Sequence, residues 1–468
     1  MNQYKLYHIM KTFSINTLGC KVNQYESQQI RQFLERLGLD QVETSQKPDL
    51  VVVNTCCVTR TASAKSRQYI RKARKLSPNA TIVACGCLPA VQIGELNNLG
   101  EDVYLIRHRD HLATTLSQIA AGKAAADDFQ GLQSCQSNII ETENDSKVNC
   151  KIQLATQPEL PFLTAFKGQT RAFLKIQDGC DGYCSYCIVP KTRPFVHSKP
   201  AEAVLQEAQA LVGAGHKEIV VTGVFLGAYG QRTVRRKNWP NEQNNKLADL
   251  LDKMAQLPGL ARIRLSSLEP ADVAPRLLEL FCKHRNIMPH LHLSLQSGSN
   301  DILKKMCRQY NADDFGKKVE LIKSRLDRPA ITSDIIVGFP TENDADFEQT
   351  VALAKEVGFA KMHIFAFSPR KGTPAANMQD TVNNRVIKER SKILRDLDSQ
   401  LQSNFRQQFV GETAEVLLEN SSGRFQGRTE RYFYVYLDKS AYRLKANDLI
   451  RVKLLKNSED GVLGELTS

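Results

Sequence analysis

The chain has 468 residues, 42% of them hydrophobic, and a formal net charge of +13. That length supports two or three domains with sizeable cores, and the composition is that of a globular protein. No run of about 18 apolar residues occurs, which speaks against a membrane span.

The opening residues, MNQYKLYHIMKTFSINTLGC, have neither a long apolar stretch nor a small-residue cleavage site, so no secretory signal is expected. Twelve cysteines in such a chain point to a reducing, cytoplasmic setting, with thiols bound to metal or unmodified. The positive charge favours a polyanionic partner, nucleic acid above all.

In chain order, a first segment over 11–120 opens with the strand-like FSINTLG and a helical stretch over 25–37. DLVVVNTC, the basic helix SAKSRQYIRKARKL and the strand TIVACGC follow. Short apolar runs alternating with helices predict an α/β unit with a parallel sheet. Its three strands each end at a cysteine: Cys20, Cys56 and Cys87. Strand C-termini of such sheets gather at one edge, where ligands bind. Between 121 and 165 the periodicity fails, and a linker or loose insertion is expected.

The central segment, 166–405, begins with RAFLKIQDG and then places Cys180, Cys184 and Cys187 in a C-x3-C-x2-C run, with no Cys or His nearby as a fourth ligand. Structural zinc sites usually close with four protein ligands. A cubane iron–sulfur cluster on three thiolates keeps one iron open for a small molecule; a plain metal knot is the duller alternative. The strands EIVVTGV, ARIRLSS, LHLSLQS, ITSDIIVGF and KMHIFAF follow, each before a helical pattern. About six β/α repeats predict a barrel or partial barrel. Along 290–298, Leu291, Leu293 and Leu295 alternate with His290, His292, Ser294 and Gln296, which predicts a polar-lined lumen. The last segment, 407–468, holds five short strands and predicts a small OB-like β-barrel, a frequent nucleic-acid binder or else a plain structural unit.

The chain resembles the methylthiotransferases, radical S-adenosylmethionine enzymes, over nearly its whole length. The resemblance rests on the three-cysteine run with Tyr186 before its last Cys, and on LGCKVNQYES (18–27), NTCCVT (54–59), KSRQYIR (65–71), TGVFLGAYG (222–230), SSLEP (266–270), HLSLQSGS (292–299), DIIVGFPTE (334–342) and FSPRKGTPA (367–375). Within the family it is most similar to the MtaB type, which acts on threonylcarbamoyladenosine beside the tRNA anticodon. The resemblance implies an N-terminal methylthiotransferase domain, a radical S-adenosylmethionine core and a C-terminal RNA-binding TRAM barrel. It implies two [4Fe-4S] clusters: one on Cys180, Cys184 and Cys187 that cleaves S-adenosylmethionine reductively, and one on Cys20, Cys56 and Cys87 that delivers sulfur. The radical would take a hydrogen from carbon 2 of adenine. A reductant such as flavodoxin or ferredoxin is implied as a partner.

Further cofactor contacts are expected from Tyr186, Gly223, Gln296, Ser297, Arg308 and Gly338, although glycines there serve a tight turn equally well. On chemistry alone Cys57 and Cys85 compete as ligands; the family pattern selects Cys56 and Cys87. Cys135, Cys150, Cys282 and Cys307 lack metal spacing. Two stretches depart from the family pattern: KTRPFVHSKP replaces an Arg-Gly-rich run, with Arg193 in part of its place, and GCLPA replaces Gly-Cys-x-Ala-Gln. The loop 231–245, with Arg232, Arg235, Arg236, Lys237 and Trp239, and the basic helix are candidate RNA contacts or solvated surface. The rival readings are the same chemistry on isopentenyl-adenosine or on a ribosomal protein, and a non-catalytic zinc protein that binds RNA.

Overall fold

The computed structural model describes residues 10–91, 96, 103–122, 159–239, 244–419, 425–437 and 444–467. Most of the expected linker, with Cys135 and Cys150, lies outside them, as does the stretch 240–243 of the basic loop. The chain forms two compact units: Met1–Cys57 with Thr61–Phe162, and Val58–Arg60 with Leu163–Ser468.

The first unit is a parallel sheet in the order β2-β1-β3-β4-β5, made of β1 (Thr12–Thr17), β2 (Asp40–Gln41), β3 (Leu50–Thr55), β4 (Thr81–Gly86) and β5 (Val103–Leu105). The central β3 is buried along its full length, as the unbroken LVVVNT run requires of a strand covered on both faces. Helix Lys21–Arg36 starts directly after Cys20, four residues before the expected 25–37. Apolar periodicity misses its first turn because that turn is held by polar contacts from Asn23. Gln29 and Gln32 of the same helix donate to the Pro161 and Phe162 carbonyls.

The second unit opens with a sheet in the order β7-β6-β8-β9, built from β6 (Ala172–Asp178), β7 (His197–Ser198), β8 (Glu218–Gly223) and β9 (Arg262–Leu265). A second sheet joins β10 (His290–His292), β11 (Ala330–Val337) and β12 (Lys361–Ala366) in that order, all parallel. Parallel bridges Ile263–Ile287 and Leu268–Leu293 link the two. Six parallel strands with helices between them thus form a partial barrel. Among the described residues β12 pairs only with β11, and antiparallel β7 covers the edge at β6.

The strand expected over 290–298 forms a regular ladder only at His290–His292. Beyond it Gln296 takes φ of 68°, a left-handed conformation that ends strand geometry. Leu291, Leu293 and Leu295 are fully buried, as the alternation predicts.

Strands β13 (Thr413–Glu419), β14 (Phe425–Thr429), β15 (Tyr434–Leu437), β16 (Leu449–Asn457) and β17 (Val462–Leu466) close into a barrel. Val416, Leu418, Val435, Leu437, Val452 and Leu454 fill its core together with Phe405 and Phe409. The barrel seals the foot of the strand row. Arg262, on β9, donates to the carbonyls of Arg428 and Glu415, and Arg264 to those of Thr429 and Glu430. Both guanidiniums are buried against Glu218. Tyr432 stacks on His290 with ring centroids 4.5 Å apart. His290 therefore belongs to a closed foot, and the polar lumen begins above it.

Candidate functional site

Cys180, Cys184 and Cys187 follow the end of β6 in one loop. Gly179, just before them, has φ of 79°, and a Cβ there would lie 1.7 Å from the Phe195 carbonyl oxygen; only glycine fits this turn. Asp178 anchors the start of the loop. Its carboxylate accepts from Lys175 at 2.5 Å, from the Gly179 N–H at 2.9 Å and from Arg193 at 2.8 Å. Arg193, which stands in part of the missing Arg-Gly run, is thus a brace for the loop. Gln177 donates to the Asp178 and Gly179 carbonyls and accepts from the Phe225 N–H, beyond β8. Ser185 ties the middle of the loop to the Lys305 and Met306 carbonyls.

The three thiols fit an iron–sulfur centre. Burial, with the crowding of Cys184, pushes the Cys180 and Cys187 thiols up to about 12. Thiols so costly to ionise alone suit a centre that brings its own positive charge. Donors already face the sulfurs: the Gly182 N–H lies 3.4 Å from Cys180 Sγ and Arg308 Nη1 lies 3.1 Å from Cys184 Sγ.

The other expected cofactor residues divide into two groups. Tyr186 packs beside Ile302, Met306 and Phe339, with Arg308 3.4 Å from its hydroxyl. Arg308 is largely committed: Nη2 pairs with Glu269 at 2.7 Å and Nε meets the Tyr310 hydroxyl at 3.0 Å. Burial alone would make its cation costly, but Tyr186, Tyr310 and Glu269 hold its pKa high. Gln296 joins β10's extension to β11 through its backbone. Gly223 ends β8, where a Cβ would stand 3.0 Å from Gln177 Oε1. Ser297 is 1% exposed and its hydroxyl faces Thr350 and the Ser299 N–H, so it supports the turn. Gly338 has φ of 76°, and a Cβ there would come 2.4 Å from Ile387; the turn and the packing both demand it.

In the first unit the ends of β1, β3 and β4 bring Cys20, Cys56 and Cys87 to one sheet edge. A Cβ on Gly19 would stand 2.9 Å from Cys56 Cβ and 3.2 Å from its Sγ. Asn23 donates to both the Leu18 and Thr55 carbonyls, knitting the first two loops. Asn54 returns a bond to the Asn23 carbonyl. The Thr55 hydroxyl donates to the Cys85 carbonyl and accepts from the Leu88 N–H, which binds the third loop. Ser66 closes on Cys56, accepting from its N–H and donating to its carbonyl. Cys85 lies in the apolar core with Phe13, Leu50 and Val83. Cys57 is fully buried with its thiol 3.4 Å from the Cys87 carbonyl, as a small hydrophobe would be.

Part of the basic loop is used internally, while Arg232 and Lys237 are exposed. Arg236 pairs with Glu269 and Asp272, and Arg235 donates to the Asp181 carbonyl and covers the Tyr183 ring at 3.9 Å. Trp239 donates to the Thr233 carbonyl. These contacts brace the cysteine loop from outside. On the basic helix, Arg60–Leu76, Lys65, Arg71, Lys72 and Lys75 are exposed, while Arg74 caps the C-terminus through the Pro78 and Ala80 carbonyls. Sequence reasoning missed Asn23, Asn54, Thr55, Asp178, Gln177 and Glu269; the first three stand inside the words LGCKVNQ and NTC that carry the resemblance.

Residues 12–106 match the uncharacterized protein family UPF0004, and residues 174–354 match the radical SAM superfamily. A threonylcarbamoyladenosine tRNA methylthiotransferase MtaB of Chlamydia pneumoniae is 35% identical over 97% of this chain and 98% of its own length. A tRNA-2-methylthio-N(6)-dimethylallyladenosine synthase of Pelotomaculum thermopropionicum is 32% identical over 89% of each. Among solved structures, the radical S-adenosylmethionine methyltransferase TsrM of Kitasatospora setae, with cobalamin and a [4Fe-4S] cluster bound, superposes with a TM-score of 0.52 at 13% identity. That match covers 79% of this chain and 77% of the other, a likeness of fold.

Proposed function

The chain belongs to the radical S-adenosylmethionine methylthiotransferases of the MtaB type, and from that premise we propose that it adds a methylthio group to carbon 2 of threonylcarbamoyladenosine in tRNA. The substrate rests on the likeness to the MtaB relative over 97% of the chain, and the chemistry on the pairing of two three-cysteine sites in one chain, each at the head of parallel strands. One is Cys180, Cys184 and Cys187; the other is Cys20, Cys56 and Cys87. Three thiolates apiece make two cubane clusters, each with an iron left for a ligand.

Cys180, Cys184 and Cys187 would hold the cluster, which would supply the electron for reductive cleavage of S-adenosylmethionine. The protein's own part is positional. Asp178, Gln177 and Gly179 shape the loop that presents the thiols. Arg308, paired with Glu269, sets a fixed positive charge at Cys184. Asn23, Asn54 and Thr55 hold the loops of the second trio in register. The C-terminal barrel and the net charge of +13 suit a tRNA substrate. Flavodoxin or ferredoxin is the reductant of this reading, and the cytoplasm, where tRNA and reduced thiols occur together, is its location. Among the described residues no helix is long and apolar enough to cross a membrane.

The test is nucleoside mass spectrometry of tRNA from cells lacking the protein. Loss of the methylthio form of threonylcarbamoyladenosine is expected, restored by the native gene and not by Cys184→Ala or Cys56→Ala. Loss of methylthio-isopentenyladenosine instead would move the chain to the dimethylallyladenosine reaction of its second relative. Anaerobic protein should carry about eight irons per chain, four for each cubane; stoichiometric zinc in their place would overturn the reading.

A further inference from the structure

Three neighbouring strands of the partial barrel bring together side chains that neither cysteine site uses. His292 ends β10, Asp334 lies on β11 and His363 on β12. Their register sets His292 opposite Thr332 and Asp334 opposite His363. One ligating atom from each of the three lies within 4.8 Å of the other two. His292 Nε2 is 3.4 Å from Asp334 Oδ2, and the two imidazole centroids are 5.9 Å apart. His292 and Asp334 are part-buried and His363 is exposed, so the group is reachable from solvent.

We propose that His292, Asp334 and His363 form a binding site for a first-row divalent metal ion, zinc or ferrous iron, separate from both cysteine sites. Two imidazoles and one carboxylate are the donor set that borderline cations take, and three protein ligands leave coordination positions for an oxygen ligand. Metal–ligand bonds of about 2.0–2.2 Å put adjacent donor atoms roughly 3–3.5 Å apart. The His292–Asp334 separation of 3.4 Å already meets that distance, and an exposed side chain such as His363 would close the remainder.

The surroundings are those of a built site. His292 Nδ1 lies 3.0 Å from the Thr332 hydroxyl. A ring nitrogen held in this way fixes the imidazole's orientation and turns Nε2 to the metal position, the usual outer support of a ligating histidine. The Thr332 hydroxyl also lies 3.4 Å from His290 Nε2, and His290 is clamped by Tyr432, so the support reaches the sealed foot of the barrel. All three donors stand on strands, which hold a geometry better than loops do.

The experiment is equilibrium dialysis of anaerobically prepared, cluster-loaded protein against buffered Zn2+, followed by metal analysis. At a given site of nitrogen and oxygen ligands zinc binds more tightly than ferrous ion, so it probes for both. One zinc per chain beyond the clusters is expected. His363→Ala, on an exposed side chain, should weaken it by roughly 100-fold or more, and Thr332→Val by roughly 10-fold. Cys282→Ser and Cys307→Ser, at exposed thiols, should leave it unchanged. Zinc absent from the native protein, or bound equally by His363→Ala, would overturn the proposal. Neither result depends on tRNA modification, so it fails or stands apart from the function proposed above.

Discussion

Arg308 Nη1 stands 3.1 Å from Cys184 Sγ while the same guanidinium holds Glu269 at 2.7 Å. The ion pair is buried on both sides, with 7% exposure for each side chain. Glu269 also receives Arg236 from the basic loop, so one carboxylate links that loop to the cysteine loop. Arg308 thus joins the Cys184 sulfur to the Glu269 carboxylate.

Arg308→Ala should therefore cost less than the about 3–5 kcal/mol of a buried charge left wholly unpaired, because Arg236 still pairs with Glu269. Denaturant unfolding checks this. Arg308→Lys keeps the charge but gives up the planar fork. With fewer hydrogen bonds to its sulfurs, a cluster on Cys184 should reduce at a more negative potential, read by anaerobic redox titration. An unchanged potential with normal iron content would remove Arg308 from the site.

Gly179 gives a second prediction. Its positive φ and the 1.7 Å approach of a Cβ to the Phe195 oxygen leave no room for alanine without moving the Cys180 loop. Gly179→Ala should lower bound iron by about four per chain, one cubane, while leaving the first unit's site loaded. Full iron content would show that the loop tolerates the shift.

Local spacing made the site at Cys180, Cys184 and Cys187 legible, because its three ligands are near neighbours in the chain. The five-strand barrel was legible for a similar reason: each strand is short, alternating and bounded by turn residues. The contacts that hold the sites were hidden, because they join residues far apart in sequence. Asn23 bonds the Thr55 carbonyl, Arg308 bonds Glu269, and Arg264 reaches carbonyls of the C-terminal barrel. The contacts within the loop 231–239 were hidden for the same reason. Arg235 and Arg236 look solvent-directed until Asp181, Glu269 and Asp272 are seen beside them. His363 gave no signal, since one histidine in KMHIFAF acquires meaning only from its register with Asp334.

Acid should loosen the C-terminal barrel. Asp327 and Glu412 are held below their ordinary pKa values, chiefly by hydrogen bonds from Arg328, and Asp327 also pairs with Arg431. A carboxyl with a lowered folded-state pKa stabilises fully at neutral pH, and that stabilisation is lost as pH falls through the lowered value. The loss should therefore appear below about pH 4, the ordinary carboxylate range. Both carboxylates are well exposed, so the effect is small. Calorimetry at about pH 3 and about pH 7 should show it in the native chain and a reduced difference in Arg328→Gln. An equal acid loss in that variant would assign it to other groups.

Tyr432 is the last and sharpest case, because one side chain of the C-terminal barrel meets four groups of the unit's core and of its own β14. Its ring stacks on His290 and lies under Arg171, Arg264 and Arg428, whose guanidinium carbons are 5.2, 4.9 and 4.1 Å from its centroid. Its hydroxyl accepts from Arg171 at 3.0 Å. Arg264 is 1% exposed, so removing the ring leaves a buried cation with less to face. Tyr432 is half-buried, so Tyr432→Ala should cost toward the lower end of the about 3–5 kcal/mol typical of deleting a fully buried aromatic, with the lost cation–π contacts among the contributions. Tyr432→Phe keeps the stack and gives up only the hydroxyl's bond, so it should cost about 1.5–3 kcal/mol, the scale of a hydrogen bond to a charged group. Denaturant midpoints of the two variants measure the difference. If both cost the same, the ring contributes nothing beyond its hydroxyl.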